Sequence, residues 1–403
     1  MRFRTHPAPG PEPAEPTRGP APTPAPGAAE PRLRVAWLGH RSATGADGII
    51  TYSRETTRGL RERGVEVLFL HHARDQADDS SIALDSFAIS HRLVLSPPSA
   101  KRRLMDVLRA HQIDLVHVSL AFSTLDFNLP EICHRLGIPV VATFHVPYDR
   151  RFSVWRGITS AVYRLYAQSL SGYDAVIIFG ETQREILTGL GVPRDIVHVL
   201  PNGVDVDRYR PGPSTKREEL GAERLFSYLG RLDPEKNVDV LLGAFLDADP
   251  PSGLRLVIMG GGVERRRLER RYADPRVAFT GVITDEQERI DVLRATDAFF
   301  LPSSVEGLSL AMLEAMACGA ATVATDVGND GEALRGAGIV LDPAHLESEL
   351  RAAIRLLVDT PQLCPLLGRM ARDRVVERYS LRSNLDALLA LYRELVRTRS
   401  GPG

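Results

Sequence analysis

From Leu33 onward, short apolar runs rich in Val, Ile, Leu and Phe alternate with longer amphipathic stretches, and the alternation repeats as two successive series. Strands separated by helices do not pair as hairpins; they build βαβ units and a parallel sheet. In the first series "RLRVAWLG", "VEVLFL", "IDLVHVS", "IPVVATFH", "DAVIIF" and "IVHVLP" read as strands, and "GIITYSRETTRGLRERG" reads as a helix ending at Gly64. The turn "PNGVD", residues 201–205, closes that series. The second contains "RLFSYLGR", "LRLVIMGG", "RVAFTG", "DAFFLPS", "AATVATD" and "AGIVLD". The fold class is therefore α/β, with two doubly wound domains at 32–205 and 206–382 facing a central cleft. A final amphipathic helix, 383–403, is free to pack on either domain, including back on the first. Ligands of such sheets bind at the carboxyl ends of the strands, so the chemistry is sought there.

Residues 1–31 differ in kind: "HPAPGPEPAEPTRGPAPTPAPGAAEP" offers little to bury and reads as a disordered, partly polyproline II tail. The remaining balance is that of a soluble globular protein, with 43% hydrophobic and 25% charged residues. A net charge of -1 gives no argument for nucleic acid as a partner. Cys133, Cys318 and Cys364 are odd in number and widely spaced, so neither a disulfide framework nor a zinc site is expected. With no apolar run of about 18 residues and no apolar leader, the expected location is the cytoplasm.

Four stretches carry polar residues to strand ends. In "GRLDPEKNVDVLLGAF", Arg231 and Lys236 leave a strand and flank the next helix, a spacing suited to a diphosphate and equally to a solvated charged loop. Gly260, Gly261 and Gly262 lie between a strand and a helix, where they either admit a ligand or only make the turn. They lack the G-x-G-x-x-G spacing, as does "GHRSATGADG", which speaks against a nicotinamide dinucleotide. The strand "DAFFLPS" delivers "SVEG" to the cleft, with a helix expected to begin near Gly307. Glu306 would precede it and Glu314 would stand about 12 Å along the chain from Glu306, at a rise of about 1.5 Å per residue. A diphosphate at that helix start would leave one glutamate for the hydroxyls at each end of an extended ligand, an order that a sugar nucleotide has. Glu306 as a helix cap and Glu314 as a half-exposed acid is the competing reading. His145, after "IPVVATF", is a sugar contact, a proton carrier or a structural residue.

With these residues in hand, the chain resembles the retaining glycosyltransferases of family 4, or group 1, whose fold is GT-B, a pair of Rossmann-like domains. The resemblance covers residue 33 to about 398. It rests on the E-x7-E pair Glu306 and Glu314 within "PSSVEGLSLAMLEAMACGAATVATDVG", with "GRLDPEKN", "LPNGVDVDRY" and "FTGVITDEQERIDVLRATDAFFLPSS" in support. It implies that Glu306 contacts the transferred hexose and Glu314 the ribose. It further implies that Arg231, Lys236 and the amides of Gly307 and Leu308 hold the diphosphate, that His145 sits beside sugar and acceptor, and that Gly48 lies near the phosphates. Three departures stand out: Asp47 where a glycine is usual, Gly180 where serine is frequent, and "DVGNDGEAL" in place of a Gly-Gly-x-x-E segment.

The implied function is transfer, with retention, of a hexose from a UDP- or GDP-sugar to a saccharide or lipid acceptor, without cofactor or metal. Arg231, Lys236 and the helix end would together supply about two and a half positive charges at the leaving phosphate. The D-x-D matches Asp205 to Asp207 and Asp247 to Asp249 read as solvated surface. An epimerase, a phosphorylase and a non-catalytic sugar-nucleotide binder are the alternatives. Residues 150–170 join Arg150, Arg151, Arg156 and Arg164 to Phe152, Trp155, Tyr163 and Tyr166. This reads either as a helix at a membrane surface, assisted by "KRRL" at 101–104, or as an amphipathic helix with its aromatics in the core.

Overall fold

A computed structural model of the chain describes residues 32–39, 48–72, 81–84, 87–88, 94–120, 123–146 and 154–400. The expectations for the tail, for Asp47 and for Arg150, Arg151 and Phe152 lie outside these residues. The first sheet has β1 (Arg34–Gly39), β2 (Glu66–His72), β3 (Ser81–Leu84), β4 (Leu115–Ser119), β5 (Val140–Thr143), β6 (Ala175–Ile178) and β7 (Val197–Val199). Their order is β3-β2-β1-β4-β5-β6-β7, all parallel. Helices α1 (Gly48–Glu62), α2 (Pro98–Ala110), α3 (Leu129–Arg135), α4 (Val154–Leu170) and α5 (Glu181–Gly189) make the crossovers. The strand β3 was not expected from the sequence. Its four residues, "SIAL", follow the polar run "DQADD" and pair along one edge only.

The second sheet is built from β8 (Arg224–Leu229), β9 (Leu254–Met259), β10 (Val277–Gly281), β11 (Ala298–Leu301), β12 (Ala321–Thr325) and β13 (Ile339–Leu341). Their order is β10-β9-β8-β11-β12-β13. After a one-turn helix at Lys216–Glu219, the helices of this half are α6 (Val238–Asp247), α7 (Arg265–Arg271), α8 (Glu286–Ala295), α9 (Leu310–Ala317), α10 (Asp330–Leu334), α11 (Leu346–Asp359) and α12 (Leu363–Arg378). Both sheets reverse direction between their first and fourth strands, and the loops leaving β8 and β11 flank that switch point in the second half. Strands covered on both faces read as continuous apolar runs, as in the fully buried "AFFL" of β11.

The chain passes between the halves twice, side by side. The Val204 amide donates to the Tyr379 carbonyl at 2.9 Å, and the Leu381 amide returns to the Val204 carbonyl at 2.9 Å. The last helix, α13 (Leu381–Ser400), then lies on the first sheet, where Leu385, Leu388 and Tyr392 join Val35, Trp37 and Ile177 in one core. Gly59 of α1 allows this approach, because a Cβ there would come within 2.2 Å of Leu385.

Candidate active site

The loops after β8 and β11 bring Lys236 and Glu306 together. Lys236 Nζ donates to Glu306 Oε1 at 2.5 Å, and both side chains are largely buried. Ser303 Oγ donates to the same oxygen at 2.8 Å. Arg231 is more exposed and pairs with Asp233 and, at 3.0 Å, with Glu235. Two cations thus face three carboxylates, which corrects the expectation of a free positive surplus. The acids stand two and four residues beyond Arg231 in its own loop, so a diphosphate gains these cations only by displacing carboxylates.

The helix start also differs from expectation. Helix α9 begins at Leu310, and Ser309 is its N-cap, with Oγ accepting from the Met312 amide at 3.3 Å. Gly307 and Leu308 lie in the loop before it, so Glu306 is no cap and only four residues of helical rise separate Leu310 from Glu314. That loop is held along its length. Asn237 Nδ2 donates to the Pro302 carbonyl and to Ser304 Oγ, and the Ser304 amide donates to the Glu235 carbonyl at 2.7 Å. The Asn329 amide donates to the Gly307 carbonyl at 2.6 Å, Asn202 Nδ2 to the Leu308 carbonyl at 2.7 Å, and the Ser309 amide to Asp330 Oδ1 at 2.8 Å. The amides of Gly307 and Leu308 find no acceptor among the described residues, and that leaves them as donors for an anion.

Gly260 and Gly262 serve backbone packing. With φ of 142° at Gly260, a Cβ would lie 1.9 Å from the Gly230 carbonyl oxygen, so the loop after β9 presses directly on the loop that carries Arg231.

Glu314 is buried, 7% exposed, and is not a half-exposed surface acid. Burial pushes its carboxyl above the ordinary range, and Arg289 and Tyr209 offset this only in part. Its partner Arg289, with Nε at 3.5 Å, is held above its usual range despite its own burial. Burial therefore outweighs pairing at the carboxylate. Glu314, Glu55, Arg208 and Glu286 line a small pocket between the halves. Arg208 closes it by bridging Glu286 at 2.6 Å and Glu55 of α1 at 2.5 Å.

In the first half, His145 follows β5, and its Nε2 is hydrogen-bonded to Ser119 Oγ at the end of β4, at 2.7 Å. The Tyr52 ring meets His145 edge-on at 4.9 Å, and Phe179 lies at 5.3 Å. Gly48 opens α1 and is exposed, with nothing near a Cβ built on it. The two halves meet at the loop: a Cβ on Gly307 would lie 3.8 Å from the His145 carbonyl oxygen. His145, Glu306, Gly307, Leu308 and Lys236 thus share one locality, and Arg231 lies at its rim.

Two departures from the family pattern face each other here. Gly180, at the start of α5, has no side chain, and Asn329 fills the space: a Cβ on Gly180 would fall 1.9 Å from Asn329 Oδ1. Asn329 is buried and has little room to swing. Gly180→Ser is expected to cost about 1–3 kcal/mol by overpacking, and Asn329→Gly in the same chain should recover most of it. A double-mutant cycle of unfolding free energies measures the coupling, and additive losses would refute the compensation.

Ser119, Ser303, Asn202, Arg289 and Asp330 complete the locality and were not singled out in the sequence. Ser303 alone leaves a local trace, three residues before Glu306. Asp205 caps its own turn, accepting the amides of Asp207 and Arg208 at 3.1 Å each. No cluster of three metal-ligating side chains occurs among the described residues. Tyr163 and Tyr166 of α4 are buried, donating to the Val146 carbonyl and to Asp126 Oδ2. Those two aromatics therefore face the core and do not belong to a membrane-facing surface. Among the described residues no helix is long and apolar enough to cross a membrane.

Known proteins resemble this chain in sequence and in fold. Residues 46–208 match the family model described as Glycosyltransferase Family 4, and residues 223–360 match Glycosyl transferases group 1. The chain is 30% identical over 282 residues to a D-inositol 3-phosphate glycosyltransferase of Rhodococcus jostii, covering 64% of this chain and 62% of that protein. It therefore spans under two thirds of that relative's length. It is 26% identical to a GDP-mannose-dependent alpha-mannosyltransferase of Mycobacterium tuberculosis, over 84% of this chain and 91% of the other. Among solved structures, a sucrose-phosphate synthase from Thermosynechococcus elongatus is 22% identical, with a TM-score of 0.71 over 91% of this chain and 100% of that one. Anabaena HepE in complex with UDP-glucose is 17% identical, with a TM-score of 0.70 over 89% and 100%. At these identities the structural likeness speaks for the fold alone.

Proposed function

Since the chain belongs to the family 4, group 1 glycosyltransferases and has their GT-B fold, we propose that it transfers a hexose, with retention, from a nucleoside diphosphate sugar to a saccharide or lipid acceptor. The observation that carries this reading is the meeting of the Lys236–Glu306 pair and the open Gly307 and Leu308 amides with His145 across the domain boundary.

A diphosphate entering this locality competes with Glu306 for the Lys236 ammonium. Its oxygens take the loop amides and the ammonium, while Glu306 turns to a hexose hydroxyl, an exchange of one charge-assisted bond for another. The anomeric C–O bond to phosphate then breaks, and negative charge grows on the leaving oxygen, where the fixed donors stabilise it. The acceptor hydroxyl attacks from the face the phosphate leaves. Its proton passes to a leaving phosphate oxygen; because attack is on the departing face, configuration is kept and no covalent adduct forms. His145, fixed by Ser119, lines the sugar and acceptor side. Glu314, in the pocket toward α1, takes the ribose hydroxyls in this reading.

The donor base is open to test, since one relative's name carries GDP-mannose and one neighbour's title carries UDP-glucose. A thermal-shift screen of UDP- and GDP-hexoses, followed by product analysis with saccharide and lipid acceptors, tests the reading. Stabilisation by a donor with hydrolysis or transfer supports it, and binding without turnover would make the chain a sugar-nucleotide binder. Turnover is expected to survive excess EDTA within about twofold, because positive side chains and amides do the work of a divalent cation. Loss on chelation, restored by Mg²⁺ or Mn²⁺, would refute metal independence.

A further inference from the structure

Asp330 opens α10 at the back of the donor loop and is fully buried. Its Oδ1 accepts the Ser309 amide at 2.8 Å, while Oδ2 has no hydrogen-bond partner among the described residues. The groups facing it are few. Glu306 and Lys236 act on it from the loops after β11 and β8. Tyr379 faces it from the end of α12. On its own side, Asp326 and Glu332 are exposed, and Asp326 is occupied by Arg335. Among the described residues the cation acting on it, Lys236, is bonded to Glu306. A carboxylate in this place would lack a counter-charge of its own, which is costly inside a protein.

Residues 328–330 form the bed on which the donor loop lies. The Asn329 amide holds the Gly307 carbonyl, and Gly328 presses so close that a Cβ would fall 2.1 Å from the Glu306 carbonyl oxygen. A protonated carboxyl keeps an acceptor for the Ser309 amide without bringing a charge. We propose that Asp330 is a positioning residue that works as an uncharged carboxylic acid, fixing the Ser309 amide without setting a second negative charge beside Glu306. Burial and the Glu306 charge both act to keep the proton on. Its effect on donor binding rests on the donor-site reading above, whereas its effect on stability does not.

Two variants separate these effects. In Asp330→Asn the acceptor remains and titration is removed; in Asp330→Leu the acceptor is lost. The folded-state pKa lies above the unfolded one, so folding retains a proton that the unfolded chain releases. Wild-type stability then falls as pH rises from the unfolded value, by about tenfold in the folding equilibrium per pH unit, until the folded value is reached. Unfolding of wild type and Asp330→Asn from pH 5 to 7.5 should show the stability difference moving in favour of asparagine as pH rises. A difference independent of pH, or one moving the other way, would mean that Asp330 is charged in the fold. In calorimetric titration with UDP and GDP, Asp330→Leu is expected to bind at least about tenfold more weakly than wild type, and Asp330→Asn to restore most of that loss. Equal binding by wild type and Asp330→Leu would overturn the positioning role. If wild type binds neither nucleotide, the donor-site reading and the positioning role fall together, and the unfolding series still decides the charge.

Discussion

Lys236→Ala is expected to lower the turnover of a nucleoside diphosphate sugar by about 10²–10³-fold, the loss typical of removing one preorganised donor from a developing anion. Lys236 is paired with Glu306 in the ligand-free chain. Once a donor is bound the ammonium has left Glu306 for the diphosphate. In the transition state the leaving phosphate gains charge and Glu306 does not, so the ammonium matters most there. The loss should fall on kcat more than on KM. Arg231 does not compensate, because it is exposed and already engaged by Asp233 and Glu235. A kcat within threefold of wild type would remove Lys236 from the chemistry.

Glu306→Gln is expected to reduce kcat/KM by about ten- to a hundredfold, since a charge-assisted hydrogen bond to a sugar hydroxyl is worth about 1.5–3 kcal/mol. The same change frees Lys236 from its carboxylate. UDP or GDP, which carry the diphosphate without the hexose, should therefore bind Glu306→Gln at least as tightly as they bind wild type. Opposite effects on sugar transfer and on nucleotide binding distinguish a hexose contact from a merely structural carboxylate. If both weaken together, Glu306 serves to hold the loop.

The alternation of apolar runs was enough to read both sheets, because strands buried on both faces are written as continuous Val, Ile, Leu and Phe. The edge strand β3 was not legible, being four residues long and paired on one side. The start of α9 was misplaced because Leu308 continues the apolar pattern of the helix, while the decisive feature, Ser309 Oγ on the Met312 amide, is a three-dimensional contact. Glu306, Lys236 and His145 could be singled out since each stands at a strand end. What holds them could not. Ser119 reaches His145 because β4 and β5 are neighbours, and Asn329 reaches Gly180 across the domain boundary, 149 positions away in the chain. The acids beside Arg231 were visible in "RLDPEK". Counting cations without them produced the overestimate of positive charge.

A donor's diphosphate is expected to lie between Lys236 and the Gly307 and Leu308 amides. The most direct test is a crystal structure of the chain with UDP or GDP bound. The terminal phosphate is expected within about 3.2 Å of Lys236 Nζ and of at least one of those two amides, with Lys236 drawn off Glu306. A nucleotide bound elsewhere, with the Lys236–Glu306 pair intact, would contradict it.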